Sequence, residues 1–504
     1  MKLSELCGGA EIPFPEEYAD LEIESIVTDS GLAAPNSLFI CIRGLHVDGH
    51  DHAMEAIEKG AVCVLVQSDF AGELPAGICR LMHESPRRAS AELYNCFYGK
   101  PTEKMKFIGV TGTNGKTSVT HMLRAILEAS LCKCGLIGTV GCESAGRYLE
   151  PRDQSPSANM TTPDPPQLYR MLSEMAEDGV EYVLMEVTSH ALALEKLSPI
   201  SFEAGIFTNL TPEHLDFHGT MEAYAAAKSK LFSRCRISIL NADSLYLPLI
   251  QKGVAGKLVT CSAYSAKETY HTEQIRMNGL IGVDYELISR NARLRIQCPI
   301  PGHFTVMNTM QAAICALELG FGAASVKSAL GSLLGIRGRM ERIKLGHEAD
   351  FSVLIDYAHT PDALEKLLRT ARDFCTDGQR VVVVFGCGGD RDKSKRPLMG
   401  AVAERYADCV IVTSDNSRSE DPMQIIAEIL SGMNSAPLVI PNRADAIRHA
   451  VLEARPKDFI LLAGKGHEEY ELTRHGKTPF SEREIVLEAF EEKKRRMSQT
   501  DDAD

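Results

Sequence analysis

The sequence predicts an α/β protein built from three domains, and two observations support this prediction. Short apolar strands alternate with amphipathic helical patterns along the chain, which is typical of parallel sheets. Polar or glycine-containing breaks at 99–102 and 335–338 divide the 504 residues into three segments. We therefore expect domains at 1–101, 102–337 and 338–504, the last of them doubly wound and Rossmann-like.

The apolar pattern places the strands and one buried helix. Strands are predicted at 37–41, 61–66, 105–110, 182–186, 353–355, 381–385, 409–413 and 459–463. One helix face is marked by apolar residues at the spacing i, i+3, i+4, i+7 and i+8, namely Val119, Met122, Leu123, Ile126 and Leu127. The charged end of the chain, 491–504, is expected to be a frayed tail.

Composition excludes several classes of protein. The net charge of −14 argues against a surface for nucleic acid or anionic membranes. The 15 cysteines follow no repeated spacing, which indicates reduced thiols in a cytosol. We find neither a secretory signal nor an apolar stretch of about 18 residues. We therefore expect a cytoplasmic protein without nucleic-acid partners and without membrane insertion.

A phosphate-binding loop follows one of the predicted strands. The run Thr111–Thr117 reads Thr-Gly-Thr-Asn-Gly-Lys-Thr and leads into the predicted helix. Gly112 and Gly115 let backbone N–H groups turn towards phosphates, and the helix N-terminus adds its positive end. Lys116 supplies a point charge, and the Thr117 hydroxyl can bind Mg²⁺. The alternative is a plain glycine turn, which Gly-Lys-Thr at the start of a helix disfavours.

This loop resembles the phosphate loop of the Mur ligases and folylpolyglutamate synthases, and further Mur motifs follow in the family's order. They are the runs 182–190, 209–219, 224–228, 302–308, 338–341 and 356–359. The resemblance implies ATP contacts from Gly112, Thr113, Asn114, Gly115, Lys116, Thr117, Asn308, Arg339 and Asp356. It implies three catalytic residues, Lys116, Lys228 and Arg339.

The resemblance also implies Mg²⁺ as a cofactor. Its ligands would be Thr117, Glu186, His214 and Lys228, the last after carbamylation. Carbamylation turns the lysine cation into an anion that can coordinate a metal ion. Without the resemblance, a solvent-facing His214 and a solvated charge at Lys228 would be the favoured alternatives.

The first domain resembles the UDP-binding domain of those Mur ligases that add the third amino acid of the peptide. The matching runs are 28–30 and 43–49, and the run 161–164 resembles a loop that contacts the sugar-peptide. The resemblance implies that Ser30, Thr161, Thr162, Thr188 and Lys196 contact UDP-MurNAc-L-Ala-D-Glu. Lys196 stands where the family often has arginine.

The run Asp415-Asn416-Ser417-Arg418 resembles the Asp-Asn-Pro-Arg motif of the members that add meso-diaminopimelate. An arginine can bind the distal carboxylate of diaminopimelate in a bidentate manner, and lysine lacks that carboxylate. The implied contacts to this amino acid are Arg391, Asp415, Asn416, Arg418, Gly464 and Glu468. The alternative for Arg418 is a surface ion pair with Glu420.

The resemblance therefore implies an ATP-dependent ligase that adds meso-diaminopimelate to UDP-MurNAc-L-Ala-D-Glu through an acyl phosphate, in peptidoglycan synthesis. We expect it to be monomeric. Three alternatives were weighed. The same ligase adding L-lysine is disfavoured because Arg418 would repel a second ammonium group. A folylpolyglutamate synthase would not need the extra N-terminal domain. A module that uses ATP as a switch would not need Lys116, Glu186, His214 and Lys228 together.

Overall fold

The N-terminal segment of the computed structural model forms a parallel sheet with helices beside it. In chain order its elements are α1 (Leu3–Gly9), β1 (Ser25–Val27), β2 (Ser37–Ile40), α2 (Ala53–Glu58), β3 (Ala61–Gln67), β4 (Cys79–His83) and α3 (Pro86–Phe97). The strands lie in the order β1-β2-β3-β4, and each pairs in parallel with the next. Phe39, Val64 and Val66 from the strands pack with Ala53 and Ala56 of α2, which gives this segment its own core.

The structure describes residues 1–44, 47–150, 160–290, 292–333, 335–346, 349–375 and 379–501. The chain packs as two compact units. The first comprises Met1–Gly112, Leu127–Thr208 and Glu222–Val259, and the second comprises Thr113–Ile126, Asn209–Met221 and Thr260–Asp504. This division runs through the central segment, and the domain boundaries expected from the sequence stay a prediction.

The central segment supplies a larger sheet. Up to residue 262 its elements are β5 (Lys106–Thr111), α4 (Lys116–Glu128), β6 (Cys134–Gly138), β7 (Gly141–Ser144), β8 (Arg147–Tyr148), α5 (Pro165–Glu177), β9 (Tyr182–Glu186), α6 (Ser189–Ala193), β10 (Phe202–Phe207), α7 (Leu215–His218), α8 (Met221–Ser229), β11 (Cys235–Asn241), α9 (Leu247–Gln251) and β12 (Lys257–Ser262). In the first unit the strand order is β11-β10-β5-β9-β6-β7-β8, parallel up to β6 and antiparallel beyond it. Nearly every residue of β5, β6, β9 and β10 is buried, as expected for parallel strands covered on both faces.

Antiparallel strands and two helices end the central segment, within the second unit. They are β13 (Tyr270–Met277), β14 (Val283–Ser289), β15 (Ala292–Cys298), α10 (His303–Glu318) and α11 (Ala323–Gly331). Strand β14 pairs antiparallel with β13 and with β15, and the end of β12 pairs in parallel with β13. Helix α10 is buried along most of its length and carries Asn308.

The C-terminal segment contains another predominantly parallel sheet. Its elements are β16 (Glu341–Arg342), β17 (Ser352–Asp356), α12 (Pro361–Phe374), β18 (Val381–Phe385), α13 (Lys395–Tyr406), β19 (Cys409–Val412), α14 (Pro422–Leu430), β20 (Leu438–Val439), α15 (Arg443–Leu452), β21 (Phe459–Ala463), β22 (Tyr470–Thr473), β23 (Gly476–Pro479) and α16 (Glu482–Asp501). The strand order is β16-β17-β21-β18-β19-β20, with β16 antiparallel to β17. Helices α15 and α16 pack on one face through residues such as Ile447 and Phe490. Helices α12 and α13 contact β18 and β19 outside that cluster, which places them on the opposite face.

The strand and helix predictions agree closely with this structure. The bounds of β9, β18 and β21 are those predicted, and the other predicted strands differ by one residue at one end or at both ends. All five apolar residues of the predicted helix face are buried in α4. The 15 cysteines are free of disulfide bonds. Within the described ranges, every helix is too short or too polar to span a membrane.

The C-terminal end differs from the prediction. Helix α16 continues to Asp501, so the expectation of a frayed tail was wrong for residues 491–501. Lys493 Nζ donates hydrogen bonds to the carbonyl oxygens of Leu452 and Ala454, at 2.6 and 2.8 Å. Because the last carbonyl groups of a helix have no partner within it, Lys493 satisfies the end of α15 and ties α16 to it.

Candidate active site

The phosphate loop is braced by the segment that follows strand β10. The Asn209 carbonyl accepts a hydrogen bond from the Thr113 backbone N–H (2.9 Å), and Asn209 Oδ1 accepts one from the Asn114 backbone N–H (3.0 Å). Asn209 Nδ2 donates back to the Asn114 carbonyl (3.0 Å), and the Thr113 hydroxyl exchanges hydrogen bonds with Thr211. The N-terminus of α4 therefore opens onto a loop whose backbone is fixed by protein contacts. A preorganised loop at a helix N-terminus is suited to bind phosphate.

Glycine is required at position 115 by its backbone and by its neighbour. Gly115 has a φ of +89°, and a β-carbon there would lie 2.6 Å from Asn308 Oδ1. Lys116 begins α4, and its Nζ donates to the Thr113 carbonyl (2.8 Å), so the ammonium group folds back over the loop. The structure thus brings Asn308, the predicted adenine contact, beside the loop predicted to hold phosphates.

Arg339 and Asp356 lie in the second unit with this loop. Arg339 Nη2 donates to Thr117 Oγ1 (3.1 Å), and the guanidinium lies 4.7 Å from the centre of the Tyr357 ring. Asp356 is the last residue of strand β17 and accepts hydrogen bonds from two backbone N–H groups, each at 2.8 Å. Burial raises the pKa of Asp356, and the positive charge of Arg339 opposes this rise. Two predicted ATP contacts, Arg339 and Thr117, are therefore in direct contact.

Sequence reasoning did not identify Glu213, a carboxylate that faces cationic groups of the second unit. Glu213 Oε1 lies 3.6 Å from His359 Nε2, and Oε2 lies 3.7 Å from His214 Nε2. Burial disfavours its charged form, but the contact with His359 and favourable electrostatic interactions with His214, His359 and Lys116 outweigh burial and lower the pKa of Glu213. His214 has a φ of +56°, and strained residues of this kind cluster at functional sites.

Glu186 lies in the first unit, at the C-terminal end of strand β9. Thr139 donates to both carboxylate oxygens, from its backbone N–H to Oε1 and from its hydroxyl to Oε2, each at 2.9 Å. Glu186 is buried, and a β-carbon on Gly138 would clash with Oε1. Gly138 and Thr139, neither of them predicted as site residues, therefore fix the position of this carboxylate. A carboxylate oxygen is a preferred ligand of Mg²⁺.

Lys228 is buried in the first unit, with 2% of its surface exposed. Its Nζ donates to the Gly112 carbonyl (2.9 Å) and lies 4.7 Å from the centre of the Tyr224 ring. Gly112 is the first glycine of the phosphate loop, so the structure brings Lys228 to the start of that loop. The alternative of a solvated helix charge at Lys228 was wrong.

Three threonines predicted to contact the sugar-peptide lie close together near Glu186. Thr162 Oγ1 donates to the Glu186 carbonyl (2.9 Å) and accepts from the Thr188 backbone N–H (3.1 Å). The hydroxyls of Thr161 and Thr139 share a hydrogen bond of 3.1 Å. The first unit therefore joins these three residues to the carboxylate predicted to bind Mg²⁺.

Lys196 belongs to the same region of the first unit. Its Nζ forms an ion pair with Asp164 Oδ1 (2.5 Å) and lies 3.6 Å from Met160 Sδ. Asp164 and Met160 flank the predicted threonine pair in sequence. Lys196 is buried, so a substrate group that pairs with its ammonium would replace part of the contact with Asp164.

Ser30, the remaining residue predicted to contact the sugar-peptide, forms a hydrogen bond with helix α2. Its hydroxyl donates to Glu55 Oε2 (2.8 Å), next to a short turn that Asp29 caps through the Gly31 backbone N–H. Ser30 is buried, and the hydrogen bond orients its hydroxyl towards α2. Within the run 43–49, which resembles part of the family's UDP-binding domain, residues 45 and 46 lie outside the described residues.

The predicted site for the incoming amino acid carries two arginines. Arg418 has a φ of +50°, and its Nη1 donates to two backbone carbonyls, the nearer at 2.7 Å. A β-carbon on Gly388 would lie 2.9 Å from Arg418 Nη1 and 3.9 Å from Arg391 Cγ, so the two arginines lie close together. Partial desolvation and then the like charge of Arg418 lower the pKa of Arg391, although its side chain is exposed. Glu420 is engaged by Arg396 (2.9 Å) and Lys393 (3.1 Å), and Arg418 bonds the backbone instead.

Two carboxylates belong to the same site, and the positive charge of Arg418 acts on one of them, Glu468. Asn416 Nδ2 donates to Glu468 Oε2 (2.7 Å), and a β-carbon on Gly464, whose φ is +119°, would lie 2.6 Å from Asp415 Oδ2. Burial disfavours the ionised form of Asp415, but positive charges, above all that of Lys465, outweigh it and lower its pKa. Burial and then the charge of Asp415 raise the pKa of Glu468. The structure brings these predicted residues together, and it adds Lys465, which sequence reasoning missed.

The donors for a metal ion are compatible with Mg²⁺. Among the residues that the structure describes, no three His, Cys, Asp or Glu side chains form a ready-made metal cage. Mg²⁺ usually keeps several waters and binds one or two carboxylates together with phosphate oxygens of the substrate. The fixed carboxylate of Glu186 in the first unit is a donor of that kind, and so is the Thr117 hydroxyl in the second unit.

Three family models match the chain, one for each segment. Residues 22–94 match the Mur ligase family catalytic domain, residues 110–316 match the Mur ligase middle domain, and residues 338–466 match the Mur ligase glutamate ligase domain. Together with the sheets of the three segments, these matches establish three α/β domains of the Mur ligase type.

Curated relatives match nearly the full length. The UDP-N-acetylmuramoyl-L-alanyl-D-glutamate–2,6-diaminopimelate ligase of Caldanaerobacter subterraneus subsp. tengcongensis is 42% identical, over 94% of this chain and 96% of its own. The corresponding ligase 1 of Clostridium acetobutylicum is 40% identical, over 98% and 100%. A solved structure of a ligase with the same name superimposes with a TM-score of 0.67 at 28% identity, covering 97% of this chain and 99% of that one. The protein therefore belongs to the Mur ligase family.

Proposed function

We propose that the protein is an ATP-dependent ligase that adds meso-diaminopimelate to UDP-MurNAc-L-Ala-D-Glu. The observation that carries this proposal is the composition of the amino-acid site, where the positive charge of Arg418 acts on the Glu468 carboxylate and Arg391 lies beside Arg418. Diaminopimelate carries two carboxylates and two amino groups, so cationic and anionic side chains in one site match it. Relatives that are about 40% identical over almost the whole chain bear the name of this ligase.

The ATP site is proposed to use the loop residues Gly112 to Thr117, with Asn308 at the adenine and Asp356 at the ribose. Lys116 and Arg339 would offset the negative charge of the phosphates during transfer. Mg²⁺, held by Thr117, Glu186, His214 and a carbamylated Lys228, would polarise the phosphate oxygens. The position of Lys228 supports this assignment, because its buried Nζ lies 2.9 Å from the Gly112 carbonyl at the start of the loop.

The reaction begins when the carboxylate of the UDP-linked dipeptide attacks the γ-phosphorus of ATP, which yields an acyl phosphate and ADP. The amino group of diaminopimelate then attacks the acyl carbon, and inorganic phosphate leaves as the amide forms. Positioning and charge compensation are the main contributions that a protein makes to phosphoryl transfer. The fixed loop backbone and the pair of Arg339 with Thr117 supply these contributions.

We propose that the UDP-linked dipeptide is held by Ser30, Thr161, Thr162, Thr188 and Lys196. The hydrogen bond of Thr162 to the Glu186 carbonyl supports this, because it joins a sugar-peptide residue to a predicted metal ligand. Domain boundaries at 101/102 and 337/338, a monomeric state and a cytoplasmic location remain part of the same proposal.

Adding L-lysine is the second candidate, and the two arginines disfavour it. Bound in this site, L-lysine would leave one guanidinium group without a carboxylate partner. Its side-chain ammonium group would also lie near that guanidinium group, and this contact between like charges costs free energy in a water-poor site. A folylpolyglutamate synthase is disfavoured because the relatives named for the diaminopimelate reaction cover the N-terminal domain as well.

Release of inorganic phosphate tests the proposal. The protein is incubated with ATP and Mg²⁺ alone, then with UDP-MurNAc-L-Ala-D-Glu, with meso-diaminopimelate, and with both. Rapid release that requires both substrates is expected. Release that is independent of the amino acid would indicate an ATPase, and ATP binding without release would indicate the switch alternative.

A further inference from the structure

Lys465 is a fully buried cation beside the predicted amino-acid site. It follows strand β21 between two glycines, and none of its surface is exposed. Its Nζ donates to Asn416 Oδ1 (2.9 Å) and to the Tyr470 carbonyl (2.8 Å), and it lies 3.9 Å from Asp415 Oδ1. Burial lowers the pKa of Lys465, and the charge of Asp415 opposes this. Burying an ammonium group costs free energy unless neighbouring groups compensate its charge. The contacts of Lys465 therefore indicate its role in the site.

The contacts of Lys465 fix the direction of the Asn416 amide. Asn416 Oδ1 accepts from Lys465 Nζ and from the Leu472 backbone N–H, each at 2.9 Å. An amide turned by half a rotation would place its NH₂ group against these two donors, which excludes that orientation. The NH₂ group of Asn416 therefore points to Glu468 Oε2, at 2.7 Å.

The same cation balances two carboxylates of the site. Glu468 and Asp415 repel each other enough to contribute to the raised pKa of Glu468, and Lys465 counters that effect. Lys465 also makes the largest contribution that lowers the pKa of Asp415. Two carboxylates in one region suit an ammonium group of a substrate, and the neighbouring arginine Arg418 suits a carboxylate.

We propose that Lys465 is a positioning residue for the incoming amino acid. Its ammonium group orients the Asn416 amide, and Asn416 in turn holds Glu468 where it accepts a hydrogen bond from an ammonium group of the substrate. This inference rests on the proposed function and deepens it, because it assigns a role to a buried residue that touches the substrate only through its neighbours.

The test measures Michaelis constants for all three substrates in the full-length protein. Lys465→Met keeps the length of the side chain and removes its charge and its hydrogen bonds. The KM for meso-diaminopimelate is expected to rise about 10- to 100-fold, the effect of losing a hydrogen bond to a charged group. The KM values for ATP and for the UDP-linked dipeptide are expected to stay within about twofold. A general structural defect would change all three.

Lys477→Met is the matched control. Lys477 is an exposed lysine of strand β23, and its Nζ lies 3.9 Å from the centre of the Tyr470 ring. It is therefore a cation next to the same tyrosine but outside the network of Asn416 and Glu468. All three KM values are expected to stay within about twofold of the wild type.

Two further variants test the positioning role of Lys465 if Lys465→Met does not fold. Lys465→Gln keeps a donor for Asn416 and removes the charge. Asn416→Asp keeps the acceptor for Lys465 and replaces the donor to Glu468 by a carboxylate. Each is expected to raise the KM for diaminopimelate selectively, Asn416→Asp at least as strongly as Lys465→Met. A KM for diaminopimelate within twofold of the wild type in any folded variant of these three, or equal rises for all substrates, overturns the inference. Absence of diaminopimelate-dependent phosphate release in the wild type overturns the proposed function instead.

Discussion

The phosphate loop and the amino-acid site place their functional groups by different means. In the loop, one short run with a positive φ at Gly115 sets the direction of backbone groups, and Asn209 braces it. In the amino-acid site, side chains from separate runs orient one another, as Lys465 does through Asn416 for Glu468. We infer that the shape of the loop depends on its own backbone and on Asn209. The site for the amino acid depends on single buried charges.

The largest expected effect belongs to the loop. Lys116→Ala removes the ammonium group that folds over the loop, and turnover is expected to fall by at least about 100-fold because charge compensation in phosphoryl transfer is lost. Steady-state phosphate release measures this effect. The exposed Lys104 provides the control, since Lys104→Ala leaves turnover near the wild-type value. Near-normal phosphate release by Lys116→Ala would contradict the proposed role of the phosphate loop in phosphoryl transfer.

The variant Lys228→Ala tests whether Lys228 acts as a carbamylated lysine. A loss of about 100-fold in turnover is expected, because the variant lacks both the carbamate and its metal contact. Addition of formate or acetate is expected to restore part of the activity, since a short carboxylate can enter the vacated space. The control is Lys230→Ala, an exposed lysine of the segment that follows α8. Full activity of the wild type in carbonate-free buffer, with an unmodified lysine by mass, would contradict carbamylation.

Arg418→Ala tests the amino-acid site, where a smaller effect on affinity is expected. Removing the guanidinium eliminates charge-assisted hydrogen bonds worth about 1.5–3 kcal/mol, so the KM for diaminopimelate is expected to rise about 10- to 100-fold. Rejection of lysine is expected to relax in the same variant. Arg405, exposed on α13, is the matched control. An unchanged KM for diaminopimelate in Arg418→Ala would show that this arginine does not read the distal carboxylate.

The smallest expected effect comes from a residue outside both sites, whose replacement changes stability and leaves catalysis unchanged. Asn442 caps helix α15, where its Oδ1 accepts from the Asp445 backbone N–H (3.1 Å). Asn442→Ala is expected to lower the free energy of unfolding by about 1 kcal/mol, because the cap is lost. Chemical denaturation measures this change. Turnover and all three KM values are expected to stay within about twofold, and a selective change in one KM would link α15 to the site.

The difference between a local run and side chains from separate runs also explains which features could be predicted from the sequence. The strands at 182–186 and 381–385 and the phosphate loop are local patterns, and the structure has the strands at those positions. The roles of Glu213, Thr139 and Lys465 arise from partners far away in the sequence, so no local pattern marks them. The helical C-terminal end was missed for a similar reason. Its order depends on a long-range contact, the hydrogen bonds of Lys493 to the end of α15.

The mass of the product formed by the wild-type protein tests the central proposal most directly. The protein is given ATP, Mg²⁺ and UDP-MurNAc-L-Ala-D-Glu, with equal concentrations of meso-diaminopimelate and L-lysine in the same reaction. A preference of about 1,000-fold corresponds to roughly 4 kcal/mol, which a charge-assisted contact combined with like-charge repulsion can supply. A product that contains diaminopimelate, with lysine incorporated at most at a trace level, is the expected result. Comparable incorporation of lysine would contradict the assignment of Arg418, and the absence of any tripeptide product would contradict the proposed ligase activity.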